Sequence, residues 1–322
     1  MMPRSRIWAL SVLVFLIPSA LVSLGCELDE VGLAEPEDVL VVEAYIMIGD
    51  GQDQVSAFLH WTQGTRPPRD LLDRAVVLEL EDGQRIPLFP EDNGFCLLPG
   101  IVDLAEGVCY AASFDIEGLF EPGSRVELEI VLDDDELLQS STQIPEAIDF
   151  IRPFVRNQCA LGPGEVLEFV WNRSPGVWAY AAETEIKGLV DALGNVGTVV
   201  ETDSVALLGL AVSDADTTIT FPKEFGIFER FDLETEVAEA LQVGLPEGAT
   251  ADVVIGAVDQ NYVNWVRGGN FNPSGLVRVS SIRGAGVGVF GSVFRRTIYI
   301  KGGPPNYSPG NLLPSCLLEP QG

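Results

Sequence analysis

From residue 39 onward the chain is written in short alternating stretches. "VLVVEAYIMIG" (39–49) is rich in β-branched residues, and "QVSAFLHWTQ" (54–63) alternates enough to pair with it across "DGQD". Pro67 and Pro68 stop any strand in "GTRPPRD". "RAVVLELEDGQRIPLFP" reads as a strand, an Asp82-Gly83 turn and a second strand. "GVCYAASFDI" and "SRVELEIVLDD" follow; in the latter Val126, Leu128 and Ile130 share one face, and Glu127 and Glu129 the other. "SSTQIP" closes this set near Pro145. Strands of this length and spacing, without a convincing helix, predict an immunoglobulin-like or transthyretin-like sandwich over residues 39–145.

A second set begins near Glu146 and extends to residue 302. Leu167, Phe169 and Trp171 alternate, "NRSPG" turns the chain, and Trp178, Tyr180 and Ala182 alternate back. A Trp closing one strand and a Tyr early in the next resembles fibronectin type III sandwiches, in which such aromatics fill the core. One helix is predicted, in "DLETEVAEALQVGLPEG" (232–248): Asp232 caps it, Val237, Ala238 and Leu241 form its apolar face, and Gly244 with Pro246 ends it. "ADVVIGAVDQ" returns to strand, and "LVRVSSIR" and "VFRRTIYIKG" read as a last pair around a glycine-rich turn. Residues 303–322 read as an irregular tail. The expected architecture is therefore all-β, two sandwich domains with a short helical insertion in the second.

The N-terminus changes where such a body would work. Arg4 and Arg6 precede the apolar run "IWALSVLVFLI", and "PSALVSLG" leads to Cys26. This is the layout of a secretory signal over residues 1–25, with an apolar core too short to span a bilayer as a helix. Gly25-Cys26 resembles a bacterial lipobox, with Ser23 where Leu is usual, and implies cleavage before Cys26 and lipidation there; the rival reading is an ordinary cleaved signal with an incidental cysteine. "ELDEVGLAEPED" follows, with six acidic residues in twelve, so residues 26–38 are expected to form a solvated tether.

Charge and cysteine count narrow the partners. With 48 acidic and 19 basic residues the formal charge is −29, which argues against nucleic acid as a partner. Calcium is the cofactor such a chain would take, if any. The candidates are Asp133, Asp134, Asp135 and Glu136 in "LDDDE", with "SDADTT" (213–218) second; solvated turns are the rival reading for both. Five cysteines leave four once Cys26 is assigned to lipid. Four cysteines in an exported chain imply two disulfides, with three connectivities open. Cys96 with Cys109 would clip one short loop, and Cys159 with Cys316 would then tie down the tail.

Motifs for catalysis are weak. "GVGVFG" (286–291) matches a dinucleotide fingerprint in letters, but a strand-like stretch follows it where a helix is needed, so a glycine-permitted bulge or tight turn is the expectation. His60 is the only histidine and is expected to be a packed or surface residue of its strand. No catalytic residue is assigned, and an exported hydrolase with a carboxylate pair is the alternative. The recognition candidate is "NYVNWVRGGNFNP" (261–273), read as a loop, with Tyr262, Asn264, Trp265, Asn270, Phe271 and Asn272.

Taken together, "VLVVEAYIMIG", "AVVLELEDGQ", "GSRVELEIVLDD" running on to "TQIP", and "NPSGLVRVSSIRGAGVGVFGS" resemble the bacterial lipoproteins grouped as domain of unknown function 4249, over residues 39–300. The resemblance implies an exported, lipid-anchored β protein, often associated with outer-membrane nutrient uptake, and brings no catalytic residues; the expected role is non-enzymatic binding. Its expected partner is an outer-membrane protein or an extracellular polymer or peptide.

Overall fold

Strand β1, Leu40–Ile48, sets the plan of the molecule. Its even-numbered side chains (Leu40, Val42, Ala44, Ile46 and Ile48) are all fully buried in the main core, so its odd-numbered side chains emerge on the opposite face. A computed structural model describes residues 38–50, 53–63, 66–97, 106–112, 116, 118–132, 136–155, 157–211, 214–226, 233–267, 278–308 and 311–318. The leader, Cys26, the tether to residue 37, Asp133, Asp134, Asp135, Ser213, Asp232, Asn270, Phe271 and Asn272 lie outside these.

The chain is all-β, as expected. After β1 come β2 (Gln54–Trp61), β3 (Ala75–Leu80), β4 (Arg85–Glu91), β5 (Gly107–Ala111), β6 (Arg125–Val131) and β7 (Leu137–Gln143). Then follow β8 (Phe150–Arg152), β9 (Gln158–Leu161), β10 (Leu167–Trp171), β11 (Ala179–Lys187), β12 (Ser204–Ala211), β13 (Thr218–Phe221), β14 (Thr250–Val258) and β15 (Gly286–Gly302). A short pair, β16 (Asn306–Ser308) and β17 (Asn311–Leu313), ends the described chain. Three α-helices occur among the described residues, where one was expected: α1 (Leu189–Gly194), α2 (Thr235–Val243) and α3 (Gln260–Arg267). The expected helix is α2, with Val237 and Leu241 buried; its cap is Glu234, two residues later than the predicted Asp232.

One hydrogen-bonded path runs β12-β11-β14-β15-β1-β2-β5-β4-β3-β6-β7, with β9 also on β15. The path curls, so that its last strand comes back to β15: the Ser292 hydroxyl donates to the carbonyl of Gln143, at the end of β7, at 3.1 Å. At the other end β9, β15, β14, β11 and β12 face a second sheet, β13-β10-β8, around Phe169, Trp171, Tyr180 and Phe221. The Trp171 and Tyr180 rings meet edge to face at 5.2 Å, and the Tyr180 hydroxyl accepts from the Ser174 amide at 2.9 Å. Trp178 departs from the expected alternation: it precedes β11 and is 46% exposed.

The predicted final hairpin is instead one 17-residue strand, and residues 278–282 are not strand. The first half of β15 runs parallel to β1, from Leu40 opposite Gly286 to Ile48 opposite Phe294; its second half pairs with β14 and β9. The ladder therefore crosses the boundary expected between residues 145 and 146, and Asp38–Gly322 form one compact unit. The "GVGVFG" glycines explain the close pairing. Gly288 has φ 143°, and a Cβ there would lie 1.9 Å from the Val42 carbonyl oxygen. This stretch is a strand packed against β1, without the helix a dinucleotide site requires.

Both disulfides are formed as expected. Cys96–Cys109 closes 13 residues onto β5, and Cys159–Cys316 ties the tail to β9 across 157 positions.

Candidate functional site

The outward face of the central strands carries the site. On β1 this face is Val41, Glu43, Tyr45 and Met47; on β15 it is Val289, Gly291, Val293 and Arg295. On β14 it is Val254, Gly256 and Val258, and on β11 Ala179, Ala181 and Glu183. Helix α3 lies across part of it. The segment predicted as a loop is helical over 260–267 because Asp259 caps it, accepting from the Tyr262 amide at 2.9 Å, and because Val263 and Trp265 are buried against this sheet face. Gly291 permits the approach: a Cβ there would stand 3.2 Å from the Tyr262 Cβ and 3.3 Å from the Asp259 carboxylate.

Asp259 does more than cap. It is 3% exposed, and Thr142 and Ser292 beside it are equally buried. Three close contacts run in series: Asp259 to the Thr142 hydroxyl at 2.7 Å, Thr142 to the Ser292 hydroxyl at 2.8 Å, and Ser292 to the Gln143 carbonyl at 3.1 Å. The Thr142 hydroxyl donates to the Asp259 carboxyl, and the Ser292 hydroxyl lies within reach of both Thr142 and the Gln143 carbonyl. Burial pushes the Asp259 carboxyl above its ordinary range, against the opposing pull of the hydrogen bonds it accepts from Thr142, Tyr262 and Ser292. Asn261 adds a second pin, its amide donating to the carbonyls of Ser141 and Phe290, each at 2.8 Å. The C-terminal end is clamped by Trp265, whose indole N–H donates to Glu43 at 3.1 Å while the Arg278 guanidinium sits 4.9 Å over its ring.

Two depressions flank the helix. A polar trough of about 410 Å³ is lined by Gln260, Asn261 and Asn264 of α3 and by the outer faces of β3, β6 and β7. Its charges are largely satisfied: Arg85 lies 2.8 Å from Glu129, and Arg125 donates to Ser141 at 3.0 Å. The other depression, about 330 Å³, lies over β1, β15, β14 and β11. Its floor is low because Gly256 and Ala181 face each other across β11 and β14. Met47, Val254, Val258 and Val293 are its aliphatic sides, and Tyr45 and Tyr262, edge to face at 5.8 Å, form an aromatic wall. Glu183 and Arg295 stand at the rim. Burial raises the pKa of both tyrosines, and the carboxylates of Glu43, near Tyr45, and Glu183, near Tyr262, push the same way. Burial lowers that of Arg295.

Of the recognition candidates, Tyr262 faces this depression, Asn264 faces the trough, and Trp265 is buried under the helix. Tyr45, Ala181, Glu183, Gly256 and Arg295 were not singled out; their signal is the outward phase of four strands, visible only once those strands are placed side by side. Glu136 begins the approach to β7, and Asp214 pairs with Arg173. Among the described residues no group of three His, Cys, Asp or Glu side chains stands close enough to hold a metal. His60 packs against Phe58 at 5.4 Å on β2.

No protein-family model matches the chain, and none of the curated proteins does. Among solved structures it is similar to a Salmonella alpha-2-macroglobulin mutant, at 12% identity and TM-score 0.21, covering 85% of this chain but only 16% of that one. It is also similar to fibronectin(III)-like modules of Clostridium thermocellum CbhA, at 10% identity and TM-score 0.19, covering 84% and 96%. The IG1 and IG2 domains of DIP-gamma align at 6% identity and TM-score 0.20, covering 84% and 100%. At such scores no property of these proteins carries over.

Proposed function

We propose that this is a lipid-tethered, non-enzymatic binding protein of a bacterial envelope, of the type gathered in domain of unknown function 4249, serving nutrient uptake at the outer membrane. The observation that carries the reading is the walled depression beside α3. It is an apolar, aromatic-sided hollow with a few charges at its rim, built on rigid strands and pinned by a buried polar chain, as ligand sites commonly are. The two disulfides support an oxidising location, and the leader ending at Cys26 supports export and lipid attachment. The partner is a peptide, a polymer or an outer-membrane protein presented to that face.

Protease shaving of intact cells tests the tether. Digestion of the wild-type protein, with Cys26→Ser released into the medium or mislocalised, is the expected result. A Cys26→Ser protein that fractionates like wild type removes the lipid anchor from the reading.

A further inference from the structure

We propose that the polar trough on the other side of α3 binds a short segment of a neutral saccharide. The trough is separate from the apolar hollow, and this inference goes beyond the reading given for that hollow.

Sheet register builds the floor. On the outward face Val77, Glu129 and Gln139 lie in one row across β3, β6 and β7, and Glu79, Glu127 and Ser141 lie in the next. Arg283 extends the first row. Its backbone exchanges two hydrogen bonds with that of Gln139, at 2.8 and 3.0 Å, which sets the two side chains on one face with their Cβ atoms about 5 Å apart. Helix α3 is the wall, with Gln260 and Asn264 one turn apart. Asn261 fastens that wall to the floor through the Ser141 carbonyl. The space is about 410 Å³, within the range of ligand sites.

The lining selects the ligand by exclusion. Among the residues that form it only Val77 and Leu128 are apolar, and Leu128 is buried, so little here rewards a hydrophobic body. Its carboxylates are already met: Glu79 and Glu129 by Arg85, at 3.7 and 2.8 Å, and Glu127 by Arg125, at 3.5 Å. With Arg283 the acids and bases of the lining balance, three against three, so no net charge is left to attract an ion. What remains unmet is mostly neutral. Among the described residues the side-chain amides of Gln139, Gln260 and Asn264 hold no hydrogen bond, and the Arg283 guanidinium holds no ion pair. Each amide presents donors and an acceptor together. A carboxylate or phosphate only accepts and an ammonium only donates, so either would leave part of every amide facing it unmet; a hydroxyl does both. Adjacent hydroxyls on a rigid ring meet such a set with little ordering cost. Arg283 donates to the same hydroxyls. An acidic sugar would pair with Arg283 but would bring its charge beside Glu127 and Glu129, on a chain of formal charge −29.

Binding of the full-length protein, in a sugar-free detergent, to short gluco-, manno-, galacto- and xylo-oligosaccharides tests this, with oligogalacturonate and chondroitin sulfate as anionic controls and tetraserine as the peptide control. Saturable binding of at least one neutral series is expected, and it should be unchanged between about 0.05 and 0.5 M salt because no charge is neutralised. Gln260→Ala with Asn264→Ala, and Arg283→Met alone, are each expected to weaken it about tenfold with the unfolding midpoint kept, since none of these side chains is buried. Gln260→Glu with Asn264→Asp keeps the shape of the wall but removes its donors, and should weaken binding as well. No binding across the neutral series overturns the proposal. So does a preference for either anionic control, a steep fall with salt, or tetraserine binding as tightly as sugar. Sugar binding that survives all the trough variants also overturns it. None of these outcomes bears on Cys26 or on the hollow, so failure here is separable from failure of the reading above.

Discussion

The two faces of β1 do opposite work with nearly identical backbone. Inward, five aliphatic side chains alternate into a core that excludes water; outward, Val41, Glu43, Tyr45 and Met47 meet a helix, a hollow and a charge. The inner face is redundant: each aliphatic side chain is one contributor among many, so its chemistry is generic. The outer face is particular, because Tyr45 touches Tyr262 and Glu43 holds Trp265. Stability is carried by volume and recognition by placement, on alternate residues of one strand.

The sharpest way to break this contrast is a pair of truncations. Ile46→Ala is expected to reduce the unfolding free energy by about 3–4 kcal/mol, the usual range for a fully buried aliphatic side chain. Tyr45→Ala, on the half-buried face, should remove about 1–1.5 kcal/mol, while changing the outward hollow far more. Urea titration reads both, and equal losses would mean that the outer face is core as well.

Asp259 sharpens it further, because it ties the two faces together. Asp259→Ala leaves the Thr142 hydroxyl and two backbone amides without their partner and should cost about 2–3 kcal/mol. Asp259→Asn should cost less, about 0.5–1 kcal/mol, since the amide N–H can donate to Thr142 once that hydroxyl turns its own proton to Ser292, and the amide oxygen still accepts from Tyr262 and Ser292. The two also differ in pH response. A carboxyl whose pKa is raised on folding stabilises fully below its unfolded value, and that contribution is lost as pH rises through the folded one. The wild-type protein should therefore melt progressively below the Asp259→Asn protein as pH rises from the ordinary carboxylate range. A melting difference that is flat with pH, or that grows on acidification, contradicts a raised Asp259 pKa.

A further small effect tests the seat of α3. Gly291→Ala places a methyl group against Tyr262 and Asp259 and should cost about 1 kcal/mol, with hydrogen exchange accelerated in α3 ahead of the strands. Uniform acceleration would show that the helix and the sheet open as one.

Much of the fold was legible in the chain because burial imposes period two. The strand at 39–49, the Asp82-Gly83 turn, the alternation through Val126, Leu128 and Ile130, and the helix around Val237 and Leu241 all show it. Cysteine spacing pointed to both disulfides. What failed had non-local causes. Residues 260–267 carry apolar side chains at helical spacing (Tyr262, Val263, Trp265 and Val266), but the stripe covers barely two turns among asparagines, and the aspartate that caps it is hydrogen-bonded to β7 and β15, far off in sequence. The run of glycines at 286–291 looked like a turn because close strand packing and a turn ask for the same residue. No local pattern reveals that one strand pairs with β1 along its first half and with β14 and β9 along its second. The hollow was invisible for a similar reason: Ala181 and Gly256 mean nothing apart and make a floor only when paired.

The sharing of β15 also fixes an order of events. A ribosome delivers β1 early, and β2 follows within a few residues to take one edge. The other edge has no mate until the stretch from Gly286 arrives; Asp50 and Arg296, which pair beside it, are 246 positions apart. Throughout that interval a long, β-branched strand stands with its hydrogen-bonding groups unspent, a template for any passing chain. Made alone, the first half of this protein would leave that edge of β1 unpaired and open to association with other chains.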